Sequence, residues 1–238
     1  MPPISRRELL KTMPAALIVL LPDYGFSKPA LTNLIIDMHH GNPIEPSAAK
    51  STGVVAIIHK ATEGGNFKDK KYHEQKEKAK ALGLLWGAYH FSNNSDVNLQ
   101  VRNYLDYAKP EDDEVICLDF EHNKGKEMTL VQAEQFISTI YQQKGRYPML
   151  YGGAWLREQV GKRPNELLAK CPLWYRRYAS RPRELPTQIW PTYTLWQYTD
   201  GEVGGEPRSV GGLACDRSFF QGSVEELKKA WPFTRRTG

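Results

Sequence analysis

Residues 115–121 read Val-Ile-Cys-Leu-Asp-Phe-Glu, a stretch in which four apolar residues are followed by two acids, Asp119 and Glu121. A short apolar run of this kind is typical of a strand that is buried on both faces, as in a parallel sheet. Successive side chains of a strand point to opposite faces, so we expect Asp119 and Glu121 to lie on the same side.

The sequence on both sides of this strand alternates between strand and helix patterns. Short apolar runs predict further strands at residues 34–38, 54–59, 84–91, 148–151, 173–178, 194–198 and 213–219. Helical spacing and capping residues predict helices at residues 69–82, 97–108, 129–145 and 223–231. Residues 181–191 and 201–212 are rich in Pro or Gly and show no convincing helical pattern. The fold class predicted is α/β, an incomplete TIM-like barrel of five β/α units followed by three strands without helices, (β/α)5(β)3.

The first 30 residues have the pattern of an export signal. Residues 5–11 read Ser-Arg-Arg-Glu-Leu-Leu-Lys and precede an apolar stretch at residues 13–21 that is short for a bilayer span. The paired arginines resemble a twin-arginine signal, which a receptor reads. We therefore expect residues 1–30 to direct export to the periplasm or beyond, and residues 31–238 to form one barrel domain with no stable membrane insertion. The alternative is that the segment forms an amphipathic first helix of the fold.

Charge and cysteine content argue against several classes of protein. The net charge is +5, and no run of basic residues is interleaved with aromatic ones, so we expect no nucleic-acid partner. Cys117, Cys171 and Cys215 are widely spaced, which predicts neither a disulfide framework nor a zinc or redox motif. His39 and His40 are adjacent on a strand and point to opposite faces, so the sequence predicts no metal and no cofactor.

Acids at strand ends are the first candidates for chemistry, because the C-terminal ends of barrel strands face the active site. The candidates are Asp37, Asp119, Glu121 and Asp216. Two carboxyl groups as close as Asp119 and Glu121 cannot both ionise freely in a partly dry pocket, so one pKa should rise. A protonated acid beside an anion is what glycoside hydrolysis requires. The same two-acid motif also occurs by chance at solvated strand ends.

Short motifs on the predicted strands resemble family 25 of the glycoside hydrolases, the lysozymes of the muramidase type, over roughly residues 33–221. The motifs, in chain order, are Asp-Met-His-His-Gly at 37–41, His-Lys-Ala-Thr-Glu-Gly at 59–64, Gly-Ala-Tyr-His-Phe at 87–91, Leu-Asp-Phe-Glu at 118–121, Leu-Trp-Gln-Tyr at 195–198 and the late Asp216. One position departs from the pattern: many members have Ser two residues after the first Asp, where this chain has His39.

The resemblance implies a catalytic barrel, acting as a monomer, that hydrolyses the β-1,4 bond between N-acetylmuramic acid and N-acetylglucosamine in peptidoglycan with retention of configuration. It implies that Glu121 is the general acid and later the base. Asp119 would either attack the anomeric carbon or orient the substrate's own acetamido group for that attack. Asp37 and Asp216 would hold and polarise the surrounding groups and keep Glu121 protonated.

Six further residues are candidates for substrate binding: Tyr89, Lys60, Glu63, Trp196, Gln197 and Tyr198. The aromatic ones could equally fill the barrel core, and Lys60 with Glu63 could form an ion pair in the lumen. Two other functions stay open at this point. One is hydrolysis of another amino-sugar polymer such as chitin, and the other is non-catalytic binding to the cell wall.

Overall fold

The structure, a computed structural model, describes residues 31–234 and residue 236, so the predicted export signal at residues 1–30 lies outside the described residues. The elements in chain order are β1 (Leu31–Met38), α1 (Pro46–Ser51), β2 (Ala56–Glu63), β3 (Phe67–Lys68), α2 (Tyr72–Ala81), β4 (Leu85–Phe91), α3 (Val97–Ala108), β5 (Val115–Asp119), α4 (Leu130–Lys144), β6 (Met149–Gly152), α5 (Ala154–Val160), β7 (Leu173–Arg176), β8 (Leu195–Thr199), β9 (Ser209–Val210), β10 (Leu213–Ala214), β11 (Asp216–Gln221) and α6 (Val224–Ala230).

Eight of these strands form a closed barrel in the order β1, β2, β4, β5, β6, β7, β8 and β11, with β11 pairing back to β1. The neighbours from β1 round to β8 are parallel. An α-helix follows each of the first five barrel strands, whereas residues 173–221, all of them described, contain none. The predicted (β/α)5(β)3 architecture is confirmed.

The last barrel strand, β11, differs from the parallel arrangement expected of the sheet. It runs antiparallel to both β1 and β8. The strand predicted at residues 213–219 begins only at Asp216 in the structure. Residues 213–214 form β10, which pairs with β9 in a separate two-stranded sheet. In an antiparallel strand the first residue lies at the end of the barrel where the parallel strands finish. Asp216 therefore reaches the same mouth as the acids of β1 and β5.

Strand alternation divides the core into an inner and an outer layer. The inner layer fills the barrel with side chains such as Ile35, Ile58, Val115, Cys117, Met149, Trp174 and Leu195. The outer layer packs the opposite strand faces against the helices, with residues such as Ile57, Trp86, Leu118, Phe120, Phe136 and Ile140. Leu227 of α6 and the following Trp231 join the inner layer, so α6 covers the end of the barrel opposite the acids.

Helix ends follow the predicted capping chemistry. Thr129 accepts a hydrogen bond from the backbone N–H of Gln132 while the Gln132 side chain accepts one from the Thr129 N–H, and Ser223 with Glu226 repeats this capping box. The short helices α1 and α5 were not predicted, because six or seven residues give too little periodicity to recognise. Within the described residues, none of the helices has the length and apolar character to cross a bilayer.

Candidate active site

The mouth of the barrel holds a small cavity of about 130 Å³. It is lined by Asp37, Tyr89, Asp119, Glu121, Tyr151, Trp174, Tyr178 and Asp216. All four predicted acids, together with Tyr89, therefore meet in one place although they come from distant parts of the sequence.

Two features of the barrel place the acids. Asp37 and Asp216 are direct partners in the antiparallel ladder of β1 and β11, so their side chains share a face. Asp119 is the last residue of β5, but the extended chain continues, because the Phe120 N–H donates to the Tyr151 carbonyl at 2.9 Å. Phe120 is fully buried in the outer layer, which leaves Glu121 on the same side as Asp119.

A buried amide fixes the Asp37 carboxylate. Gln197 donates from Nε2 to both carboxylate oxygens of Asp37 at 3.0 Å, and its Oε1 accepts a hydrogen bond of 2.6 Å from the Tyr151 hydroxyl. Gln197 is only 1% exposed. It therefore supports Asp37 from behind, and its side chain offers almost no surface to a substrate.

Glu121 is in contact with a cation. Arg176 Nε lies 2.6 Å from Glu121 Oε1, and this buried oxygen has no other partner among the described groups. The Arg176 side chain can take this position because residue 153 is a glycine. A Cβ at Gly153 would lie 2.9 Å from Arg176 Nε. Asp119 Oδ1 is likewise buried without a partner in the described part of the chain.

Burial raises the pKa of all four carboxyl groups, and repulsion from a neighbouring acid of the four adds to the effect at Asp37, Asp119 and Glu121. Asp216 raises the pKa of Asp37 further, and Glu121 does the same for Asp119. The pKa of Asp216 itself rises to about 6. Arg176 opposes the rise at Glu121 without reversing it. Four acids arranged in this way cannot all be ionised at neutral pH, so the cavity retains protons.

The structure separates the candidate binding residues. Lys60 and Glu63 form the predicted ion pair, Nζ to Oε2 at 2.6 Å, but neither residue lines the cavity. Trp196 and Tyr198 lie on the face of β8 opposite Gln197 and are 4% and 0% exposed. Their polar atoms donate to backbone carbonyls, and both rings belong to the outer layer. This position favours the core alternative, and we leave Trp196 and Tyr198 out of the proposed substrate site.

A model of the family described as glycosyl hydrolases family 25 matches residues 36–205. The chain belongs to this family. The matched region includes Asp37, Asp119 and Glu121, while Asp216 lies beyond its end.

Relatives of this family 25 chain are similar over most of its length. Lysozyme M1 from Streptomyces globisporus is 30% identical over 225 residues, covering 87% of this chain and 74% of that protein. An N,O-diacetylmuramidase from Arthroderma benhamiae is 29% identical over 196 residues, covering 76% and 79%. The structure of a family 25 lysozyme from Aspergillus fumigatus has a TM-score of 0.70 at 28% identity, covering 84% of this chain and 98% of that one.

The described groups of this family 25 chain that could hold a metal ion do not line the cavity. His40 Nδ1 lies 2.9 Å from Asp69 Oδ2, and neither residue lines the cavity. Among residues 31–234 and 236, three acids have carboxylate oxygens close enough together to hold a metal ion: Glu111, Asp113 and Glu114. Ion pairs with Lys76 and Lys80 already neutralise part of their charge.

Four residues around the acids were not identified from the sequence: Tyr151, Trp174, Arg176 and Tyr178. The signal for three of them was present, because alternation along the predicted strand at residues 173–178 places Trp174, Arg176 and Tyr178 on one face. The rings of Tyr151 and Trp174 meet edge to face at 4.6 Å and form the floor between the acids.

Proposed function

We propose that this family 25 chain is a muramidase-type lysozyme that hydrolyses the β-1,4 bond between N-acetylmuramic acid and N-acetylglucosamine in peptidoglycan. The observation that carries the proposal is the convergence of Asp37, Asp119, Glu121 and Asp216 on one cavity at the barrel mouth.

Glu121 serves as the proton donor in this proposal. Its raised pKa keeps it protonated to higher pH than an ordinary glutamate, even though Arg176 lies 2.6 Å from its Oε1. The Glu121 proton passes to the glycosidic oxygen as the bond from that oxygen to the anomeric carbon breaks. The glycosidic oxygen takes the bonding electron pair and leaves as a neutral hydroxyl group.

Asp119 acts on the opposite side of the departing bond. Its unpartnered Oδ1 either bonds to the anomeric carbon or accepts the N–H of the substrate's acetamido group, whose oxygen then bonds to that carbon. Water subsequently attacks the anomeric carbon as the bond from that carbon to Asp119 Oδ1 or to the acetamido oxygen breaks, and the oxygen that leaves takes the electron pair. The water gives its proton to the Glu121 carboxylate, which restores the acid. Each route inverts the centre twice and so retains the configuration.

Asp37 and Asp216 are positioning residues in this scheme. Their adjacent carboxyl groups, with Gln197 and Tyr151 behind Asp37, hold negative charge near the site of the developing positive charge. Charge on Asp216 also raises the pKa of Glu121, which favours its acid form.

The comparisons favour peptidoglycan over chitin as the substrate, since the relatives bear the names lysozyme and N,O-diacetylmuramidase. The presence of all four acids favours turnover over binding alone. We also propose that residues 1–30 export the chain to the periplasm or beyond by the twin-arginine route, because Arg6 and Arg7 precede an apolar stretch and the substrate lies outside the cytoplasm.

Digestion of purified peptidoglycan followed by mass analysis of the products tests the activity. We expect new reducing ends on N-acetylmuramic acid, and a loss of about 10²- to 10⁴-fold in kcat for Glu121→Gln. Glu77→Gln is the matched control, because Glu77 is exposed on α2. Full activity of Glu121→Gln, or reducing ends on N-acetylglucosamine, would contradict the proposal.

A further inference from the structure

A second cavity, of about 320 Å³, adjoins the catalytic one. It is lined by Ala154, Arg157, Arg176, Arg177, Tyr178 and Val203. Tyr178 lines both cavities, and Arg176 contacts Glu121 of the first. Three of the six lining residues are arginines and none is acidic. We call this cavity the arginine pocket.

The positive charge of the arginine pocket is incompletely neutralised. Glu184, whose side chain is 55% exposed, is shared between Arg157 at 3.2 Å and Arg177 at 3.3 Å. Arg176 has Glu121 as its partner, but burial favours the protonated form of that glutamate. When Glu121 carries its proton, three cations face one carboxylate.

The arginine pocket also contains a hydrogen-bond donor without an acceptor. Arg177 Nε is buried and donates to no acceptor among the described residues. Buried polar groups without partners are uncommon in folded proteins, so each one calls for a partner such as water, an ion or a ligand. A guanidinium group matches the geometry of a carboxylate, because two parallel N–H groups meet its two oxygens.

We propose that the arginine pocket binds a carboxylate carried by the muramic acid unit of the substrate, either that of the lactyl group or one in the peptide stem. The inference rests on the proposed function, and it supplies a source of selectivity. N-acetylmuramic acid bears a lactyl substituent that N-acetylglucosamine lacks, so a neutral amino-sugar polymer gains nothing from the three arginines. The shared wall at Tyr178 joins the sugar held at the acids to its substituent in the pocket.

Equilibrium binding tests the pocket separately from catalysis. All proteins carry Glu121→Gln in the full chain to prevent turnover. Three ligands are compared: an N-acetylglucosamine–N-acetylmuramic acid disaccharide with its peptide stem, the same disaccharide without the stem, and the neutral disaccharide of N-acetylglucosamine. We expect Arg177→Gln to weaken binding of one or both carboxylate-bearing ligands about tenfold and to leave the neutral one unchanged.

Glu184→Gln provides an independent test with the opposite sign, because it removes the carboxylate that competes for Arg157 and Arg177. It should strengthen binding of the same ligands severalfold. Arg163→Gln, at an exposed arginine outside the pocket, is the matched control and should change nothing.

The ligands separate the two sources of the carboxylate. The stem is attached through an amide of the lactyl carboxyl, so the lactyl carboxylate is free only in the disaccharide without a stem. An effect on that ligand alone assigns the lactyl carboxylate, an effect on the stem-bearing ligand alone assigns a carboxylate of the stem, and an effect on both shows that the pocket accepts either. Equal changes for the neutral sugar, or no change with either variant, would overturn the proposal. Hydrolysis by the unmodified chain is measured alongside, so that a failure of the proposed function appears as absent turnover with the binding pattern intact.

Discussion

Arg176 and Glu121 form an ion pair across the barrel mouth, with Nε 2.6 Å from Oε1, so the proposed proton donor is in contact with a permanent cation. Burial raises the pKa of Glu121, Arg176 is the largest influence that lowers it, and Asp216 is the main charge that raises it. The proton on Glu121 is therefore set by a balance between one basic and one acidic neighbour, and each can be removed in turn.

Removal of Arg176 should extend activity to higher pH. Arg176→Met takes away the charge that stabilises ionised Glu121, so the pKa of Glu121 rises and its proton is retained longer. We expect the alkaline limb of the kcat–pH profile to move upward, whatever the change in kcat itself. Arg163→Met, at an exposed position, is the control and should leave the limb in place.

Removal of the charge on Asp216 should have the opposite effect. Asp216→Asn eliminates a carboxylate that raises the pKa of Glu121, so Glu121 loses its proton at lower pH and the alkaline limb moves downward. The kcat that remains in this variant is measured as a function of pH. NMR titration of the ¹³C-labelled glutamate carboxyl groups gives the pKa of Glu121 directly. An upward movement or no movement of the alkaline limb with Asp216→Asn would show that the charge on Asp216 does not raise the pKa of Glu121.

The barrel could be predicted from the sequence because its signals are local. Short apolar runs, helical spacing and the capping boxes at Thr129 and Ser223 are each set by neighbours within a few residues. The direction of β11 could not be predicted in this way, since an alternating pattern is the same for parallel and antiparallel strands. Asp216 lies at the predicted site because β11 is antiparallel to β1, which places the first residue of β11 at the barrel mouth.

The site could be predicted where a residue of catalytic type also lies on the correct face of a strand. Alternation shows that Trp196 and Tyr198 share a face that Gln197 does not, but it does not show which face looks into the barrel. The closed register of β8 between β7 and β11 settles that choice, and it depends on contacts far apart in sequence. Arg176 was not identified for the same reason, because its contact with Glu121 joins two strand ends that are far apart in sequence.

Trp231 should contribute strongly to stability and little to substrate binding. It is 5% exposed, packs in the inner layer with Leu227, and donates from Nε1 to the Trp86 carbonyl at 3.2 Å. Trp231→Ala should lower the free energy of unfolding by about 3–5 kcal/mol, and Trp231→Phe by less. Urea denaturation measures the loss. A matching rise in KM would contradict the placement of Trp231 at the end of the barrel opposite the acids.

The catalytic arrangement should also reduce stability at neutral pH, and Asp216 allows a test. Its pKa rises from the usual 3.8 to about 6 on folding, so between these values the unfolded chain holds fewer protons than the folded one. Stability contributed by this group is present below about pH 4 and is lost as the pH rises through about 6. Asp216→Asn removes the titration and should therefore raise the free energy of unfolding at pH 7 by roughly 1–3 kcal/mol. The gain should shrink towards zero at pH 4 in urea denaturation, while Asp113→Asn, at an exposed acid, gives no gain at either pH. A variant no more stable than the native chain at pH 7 would mean that the Asp37–Asp216 pair does not strain the fold.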